Sequence, residues 1–354
     1  MSKLAFLLAL ALAPSVVRAQ WTPQSSGTTA EFRGLVAVSP SVVWASGTRG
    51  RVARTTDGGK TWRVDTIPGA TKLDLRGIAA LGTSGATRAW AMSAGLADSG
   101  QAQIYHTADG THWTKQFETM QKGVFLDAIA FWDEKHGIAM SDPVDGKLFI
   151  LTTDDGGATW SHVPTESAPP VLPGEAAFAA SGTCLTVQGR SNVWIGTGGS
   201  ARARVFRSTD RGRTWRVADT PVHAGGSASG IFSVAFRDAR HGVVVGGDYT
   251  KPKEPSDNVA LTDDGGESWR LASGALPKGY MSGVAYLPGT SGRSLVAVGL
   301  GGTARSSDGG QSWAMVDSVA YNSVAFATRD DGWAAGPGGR IARWTPSTAQ
   351  AAKP

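Results

Sequence analysis

Four carboxylates, Asp127, Asp142, Glu175 and Asp248, and three arginines, Arg33, Arg49 and Arg76, with Tyr249, are the side chains of this 354-residue chain that could do chemistry together. Glycosidic cleavage needs two carboxyl groups, one protonated acid and one base or nucleophile, about 5–5.5 Å apart for retention or roughly 6.5–9.5 Å for inversion. Asp142 and Asp248 are the favoured pair. Each stands at the end of an apolar strand where an enlarged loop begins, SDPVDGK after Met140 and GGDYTKPKEPSDN after Val245. Flanking residues there can shield one carboxyl and raise its pKa. Alternatively, Arg33, Arg49 and Arg76 beside Asp142, Asp248 and Tyr249 make a mixed surface for a protein or polysaccharide partner. The choice depends on the elements that carry these residues.

Those elements repeat. The turn TTDGGKTW, residues 55–62, recurs as TDDGGATW ending at Trp160, STDRGRTW at Trp215, TDDGGESW at Trp269 and SSDGGQSW at Trp313. A sixth copy, TADGTHW ending at Trp113, is one residue short. Asp57, Asp109, Asp155, Asp210, Asp264 and Asp308 can each turn a carboxylate onto the turn's own backbone N–H groups, and Gly59, Gly157, Gly212, Gly266 and Gly310 can supply positive φ. These aspartates read as structural. Upstream lie seven strands of small and apolar residues, FRGLVAV from Phe32, LRGIAAL from Leu75, LDAIAFW from Leu126, EAAFAAS from Glu175, IFSVAFR from Ile231, MSGVAYL from Met281 and YNSVAFA from Tyr321. A second apolar strand follows each, from VWASG at Val43 to GWAAG at Gly332, and a third leads into the turn.

A four-stranded antiparallel unit repeated in this way predicts an all-β, seven-bladed propeller. The seventh unit ends at Trp344 without an outer strand, and QWTPQSSG, residues 20–27, matches the missing piece with Trp21 in the place of the turn tryptophan. The last blade is therefore predicted to be closed by the N-terminal strand. This makes one domain over residues 20–346, a disordered tail over 347–354, and a monomer.

Composition agrees. With 47 Gly and 13 Trp and 41% apolar residues, the chain favours short strands and tight turns, and no helix is readable. No block of Lys or Arg supports nucleic-acid binding. Cys184 stands alone, excluding an internal disulfide and reading as a small buried residue. Residues 1–19 have a basic start, an apolar run from Leu4 to Ala13 and a small-residue cleavage pattern at Val17-Arg18-Ala19, which predicts a signal peptide cut near Ala19 and export to the periplasm or the medium. Ten apolar residues are too few to cross about 30 Å of hydrocarbon, so no membrane span is predicted.

The turns resemble the Asp-box, or bacterial neuraminidase, repeat. Seven repeats on an exported chain resemble the photosystem II stability/assembly factor-like propeller family. In photosynthetic relatives that resemblance implies a noncatalytic assembly factor with a membrane-protein partner. The same box occurs in sialidases, two-propeller xyloglucanases and sortilin-type receptors, so an Asp-box glycoside hydrolase is the alternative. A sialidase needs an Arg-Ile-Pro motif, and Phe32-Arg33-Gly34 lacks the Ile-Pro. No GxGxxG opens a helix, and GTGGSAR at Gly196 fits a strand-to-strand loop, so no cofactor is predicted. Each box offers one carboxylate where calcium collects about six to eight oxygens, so no metal is predicted.

In a propeller, the connections entering the inner strands and those from second to third strand emerge on one face, and the Asp-box turns on the other. At one register entering the inner strands stand Arg33, Arg76, Asp127, Ala176, Phe232, Ser282 and Asn322, with Glu175 adjacent. Leaving the second strands are Arg49, Ser141, Asp142, Thr197, Gly247, Asp248 and Tyr249. Trp44, Trp90, Trp194 and Trp333 read as interblade core. The expectation is an exported noncatalytic scaffold that binds on this loop face.

Overall fold

The computed structural model describes residues 20–82 and 88–345. The predicted signal peptide over 1–19 and tail over 347–354 lie outside them. Seven four-stranded antiparallel sheets form the ring, with inner strands Phe32–Ala37, Asp74–Ala80, Leu126–Phe131, Leu185–Gln188, Ser229–Phe236, Gly283–Tyr286 and Ser323–Phe326. The only helical pieces among the described residues are two three-residue 3-10 turns.

The seventh sheet is composite. Trp21–Gln24 pairs antiparallel with Ile341–Trp344, Trp21 opposite Trp344, and supplies the outer strand of the last blade. Trp21 packs edge-on against Trp344 with ring centroids 5.0 Å apart, and its indole donates to Thr303 Oγ1 of blade six at 3.0 Å. The closing strand thus joins both its own blade and the one before it.

Repetition in sequence becomes repetition in bonding. In the first box, the Thr55 hydroxyl donates to Asp57 Oδ1 at 2.8 Å and accepts from Gly59 N at 2.9 Å, while Asp57 accepts from Thr61 N and Thr61 Oγ1 at 3.0 and 2.6 Å. Gly59 has φ +84°, a left-handed conformation that costs a side-chain-bearing residue about 1 kcal/mol or more. Boxes three to six repeat this network around Asp155, Asp210, Asp264 and Asp308. The short box closes differently, Asp109 accepting from the backbone N–H of Thr111 and of His112 at 2.8 Å each.

The core lies between blades. Trp44, Trp90, Trp194 and Trp333 are each at most 2% exposed. Trp90 stacks on Phe131 of blade three at 3.8 Å and Trp194 on Phe236 of blade five at 3.6 Å. Their indoles also donate to a box carbonyl of the next blade, Trp90 to Gly156 O at 2.9 Å and Trp194 to Gly265 O at 2.8 Å. Packing and a buried hydrogen bond therefore fix the angle between neighbouring blades.

Blade four departs from the expected assignment. Residues 175–181, EAAFAAS, do not form its inner strand, which is Leu185–Gln188 instead. Phe32 precedes the second strand at Val43 by 11 residues, whereas Glu175 precedes Val193 by 18. The surplus leaves the sheet, and small alanines with Gly182 at φ +70° favour an irregular path.

Candidate functional site: the mouth of the channel on the loop face

The site begins with β-bulges. The inner strands of blades one, two, three and five shift register between Phe32 and Gly34, Leu75 and Gly77, Leu126 and Ala128, and Ile231 and Ser233. A bulge leaves one residue outside the ladder and re-aims its side chain. The residues so displaced are Arg33, Arg76, Asp127 and Phe232. Ser282 and Asn322 hold the matching place just before the inner strands of blades six and seven. In blade four the matching residue is Thr183, two before Leu185, and not Ala176, because Leu185 pairs with Ile195 as Leu35 pairs with Ala45.

The displaced segment of blade four fills the space inside this ring. Ala177 N donates to Asp142 Oδ1 of blade three at 2.8 Å, and Phe178 stacks on Phe232 of blade five at 3.9 Å. Ala180 O accepts from Arg33 of blade one at 3.4 Å, Ser181 Oγ donates to Ser282 O of blade six at 2.7 Å, and Thr183 shares a hydroxyl hydrogen bond with Ser233 at 2.7 Å. A Cβ added at Gly182 would lie 2.9 Å from Arg76 O of blade two. Only a segment on the ring's axis can touch blades one, two, three, five and six at once, so residues 176–183 plug the channel.

The plug governs the electrostatics beneath it. Asp127 is 1% exposed; burial, then the charge of Asp142, push its carboxyl well above the ordinary range, and Arg76 opposes this. Its Oδ2 has no hydrogen-bond partner. Burial likewise pushes Asp142 up to about 6 against the hydrogen bond from Ala177. Cys184 is fully buried beside them, and burial followed by the charge of Asp127 raises its thiol. Two adjacent carboxyls with little water between them hold at least one proton near neutrality.

Asp248 and Glu175 are held in networks of their own. Asp248 accepts from Thr250 N and Thr250 Oγ1 at 2.9 and 2.6 Å, and the hydroxyl bond holds its carboxyl below the usual range. The carboxyl that feels the charge of Asp142 is that of Asp127. Glu175 is enclosed by Arg204, by Thr197 Oγ1 at 2.6 Å and by Leu172 N at 2.8 Å, so it anchors the start of the plug. Arg33 pairs with Glu31 at 2.6 Å and Arg76 with Asp74 at 2.7 Å. Arg49, at φ +61°, lines a cleft of about 780 Å³ between blades seven and one together with Arg51 and Arg340, and no carboxylate lines it.

The exposed large hydrophobics among the described residues are Leu96, Met120, Tyr249, Leu300 and Val319. Leu96, Tyr249 and Leu300 lie between second and third strands, and Met120 and Val319 lie between blades. All five therefore emerge on the loop face, and none on the Asp-box face. Tyr249 leans edge-on toward Phe232 at 6.1 Å, linking the rim to the plugged channel.

No family model matches this chain, and no curated protein does. Solved structures do. The chain is similar to YCF48 bound to a D1 peptide, with a TM-score of 0.66 at 17% identity over 96% of this chain and 100% of that one. It is similar to the GH74 xyloglucanase from Xanthomonas campestris, with a TM-score of 0.60 at 17% identity over 91% of this chain and 53% of the enzyme, about half its length. The WD40 propeller of Doa1 aligns with a TM-score of 0.60 at 12% identity over 94% and 100%. At these identities the likeness is one of fold, and function rests on the site.

Proposed function

We propose that this protein is an exported, noncatalytic propeller that holds a polypeptide partner on its loop face. The observation that carries the proposal is the segregation of every exposed large hydrophobic of the described residues to that face, where the arginine-lined cleft also opens. Apolar anchors bordered by cations suit a peptide or protein surface with apolar side chains and carboxylates. The likeness to YCF48 bound to a D1 peptide supports a polypeptide over a polysaccharide. It supports the kind of partner named for the assembly factor-like family without carrying over the partner's identity.

The glycoside hydrolase alternative has less support. Of its candidate carboxyls, Asp142 with Asp248 as the favoured pair and Asp127 and Glu175 beside them, Asp127 and Glu175 are buried and Asp142 is only partly exposed. A sugar ring must reach both carboxyls.

The test places a photo-crosslinking residue at position 249 on the loop face, or at position 60 in the first Asp-box turn, in the living source. We expect a discrete polypeptide adduct from 249 and none from 60. Equal adducts from both faces, or none from 249, would end the proposal. Hydrolysis of a polysaccharide by the native chain, lost in Asp142→Asn, would instead establish the hydrolase.

A further inference from the structure

We propose that residues 176–183 are a releasable plug, latched in the channel by the carboxyl groups of Asp127 and Asp142 and freed as pH rises.

The two ends of the segment are fixed and its middle is lightly held. Glu175, in its buried ion pair with Arg204, anchors the beginning, and the inner strand from Leu185 anchors the end. Between them the only ladder contact is the isolated bridge of Ala176 to Gly198. The remaining attachments are a few hydrogen bonds to blades one, three, five and six, two of them between Thr183 and blade five, and one ring stack. Segments with few ladder bonds open at lower free energy than the sheets around them.

Charge supplies the direction. The ionisable groups facing the segment are Asp127 and Asp142 of blade three, Arg76 with Asp74 of blade two, Arg33 with Glu31 of blade one, Tyr280, Cys184, and Glu175 with Arg204. Each arginine here already has its own carboxylate, at Glu31, Asp74 or Glu175. Asp127 and Asp142 have no such cation in hydrogen-bond contact, and the closed plug buries Asp127 and most of Asp142. Closure therefore favours their protonated forms, and an open segment lets both ionise. With the Asp142 carboxyl at about 6 when closed and near 3.8 when solvated, that residue alone makes opening about tenfold more populated at pH 8 than at pH 5. Asp127 adds to the same sign. Opening would also free Arg33 from Ala180 O and expose Phe232 on the loop face.

Cys184 reports the opening directly. It is the only cysteine in the chain and is buried at the base of the plug. The experiment measures the rate at which a pyridyl disulfide labels Cys184 in the full chain from pH 5 to 8. Each rate is divided by that of the guanidinium-unfolded chain at the same pH, which cancels the thiol's own ionisation. We expect protection to fall at least about tenfold over this range, to fall less steeply in Asp142→Asn, to become flat when Asp127→Asn is added to it, and to keep its slope in Asp145→Asn on the adjoining exposed turn. Gly182→Ala, whose Cβ would press on Arg76 O, should lower protection at every pH with the slope retained.

A flat profile in the native chain, or a slope in Asp142→Asn as steep as the native one, would overturn the proposal. So would labelling that shares the urea dependence of global unfolding, since the plug must open with the ring intact. The use of the plug to control partner access rests on the loop-face reading above. The labelling needs no partner, so either idea can fail while the other stands.

Discussion

Asp264 on the box face and Asp142 on the loop face titrate in opposite directions. On the box face, Asp264 is partly buried, which pushes its carboxyl up, yet bonds from Ser268 and Thr262 hold it at about 2. On the loop face, Asp142 also has a backbone donor, but burial under the plug outweighs it and raises the carboxyl to about 6. The box carboxylate is bound as an anion by the turn that it organises. The channel carboxyls are enclosed by a segment belonging to another blade. Five near-identical turns and one shortened copy form a repeated frame, whereas the loop face is assembled from exceptions: bulges, an arginine-lined cleft and a displaced segment.

The largest effect should come from breaking the anchor of the exceptional region. Arg204→Leu leaves Glu175 buried without its cation, and we expect a loss of about 3–5 kcal/mol in urea unfolding. A smaller loss would mean that the segment simply moves and rehydrates Glu175, which would blur the contrast between the faces.

Next come the opposite pH slopes. The depressed Asp264 carboxyl contributes stability that is present above about pH 4 and lost as pH falls toward 2, so Asp264→Ala should flatten the acid limb of a melting-temperature profile. The raised Asp142 carboxyl contributes stability present below about pH 4 and lost as pH rises toward 6. Asp142→Asn should therefore flatten the limb between pH 4 and 6, by an amount on the order of 1 kcal/mol. Slopes of the same sign in both variants would remove the distinction.

The smallest effect concerns the frame. Trp90 donates its indole N–H to Gly156 O, whereas the Trp44 N–H, equally buried, has no acceptor. Trp90→Phe should cost roughly 1 kcal/mol more than Trp44→Phe in equilibrium unfolding. Equal losses would show that packing alone sets the interblade angle.

The frame was legible because each of its parts is local. Asp57 and Gly59 act within one turn, and Trp21 announced the closing strand by matching Trp62 and Trp113. The loop face was legible in part, since the bulge residues Arg33, Arg76, Asp127 and Phe232 shared a register in the repeats. Blade four misled because EAAFAAS has the composition of the other inner strands, and only its distance from Val193 marks it as surplus. Asp142 stands beside Asp127 because Leu126 pairs with Ser141 in blade three's own hairpin, but the covering of that pair arises from a segment crossing the axis. No spacing within a repeat encodes that crossing.

Residues 21–24 precede the rest of the ring in the chain, yet by pairing with Ile341–Trp344 they are the last that can be placed. Contacts across so long a stretch of chain form slowly, because the intervening loop must be ordered first. Until then the third strand of blade seven has an unpaired edge, the kind of surface on which wrong pairings start. A nascent chain carries the unpaired strand of residues 21–24 through nearly all of its synthesis. A factor that shielded it would raise the yield of native protein without changing the stability of the finished ring.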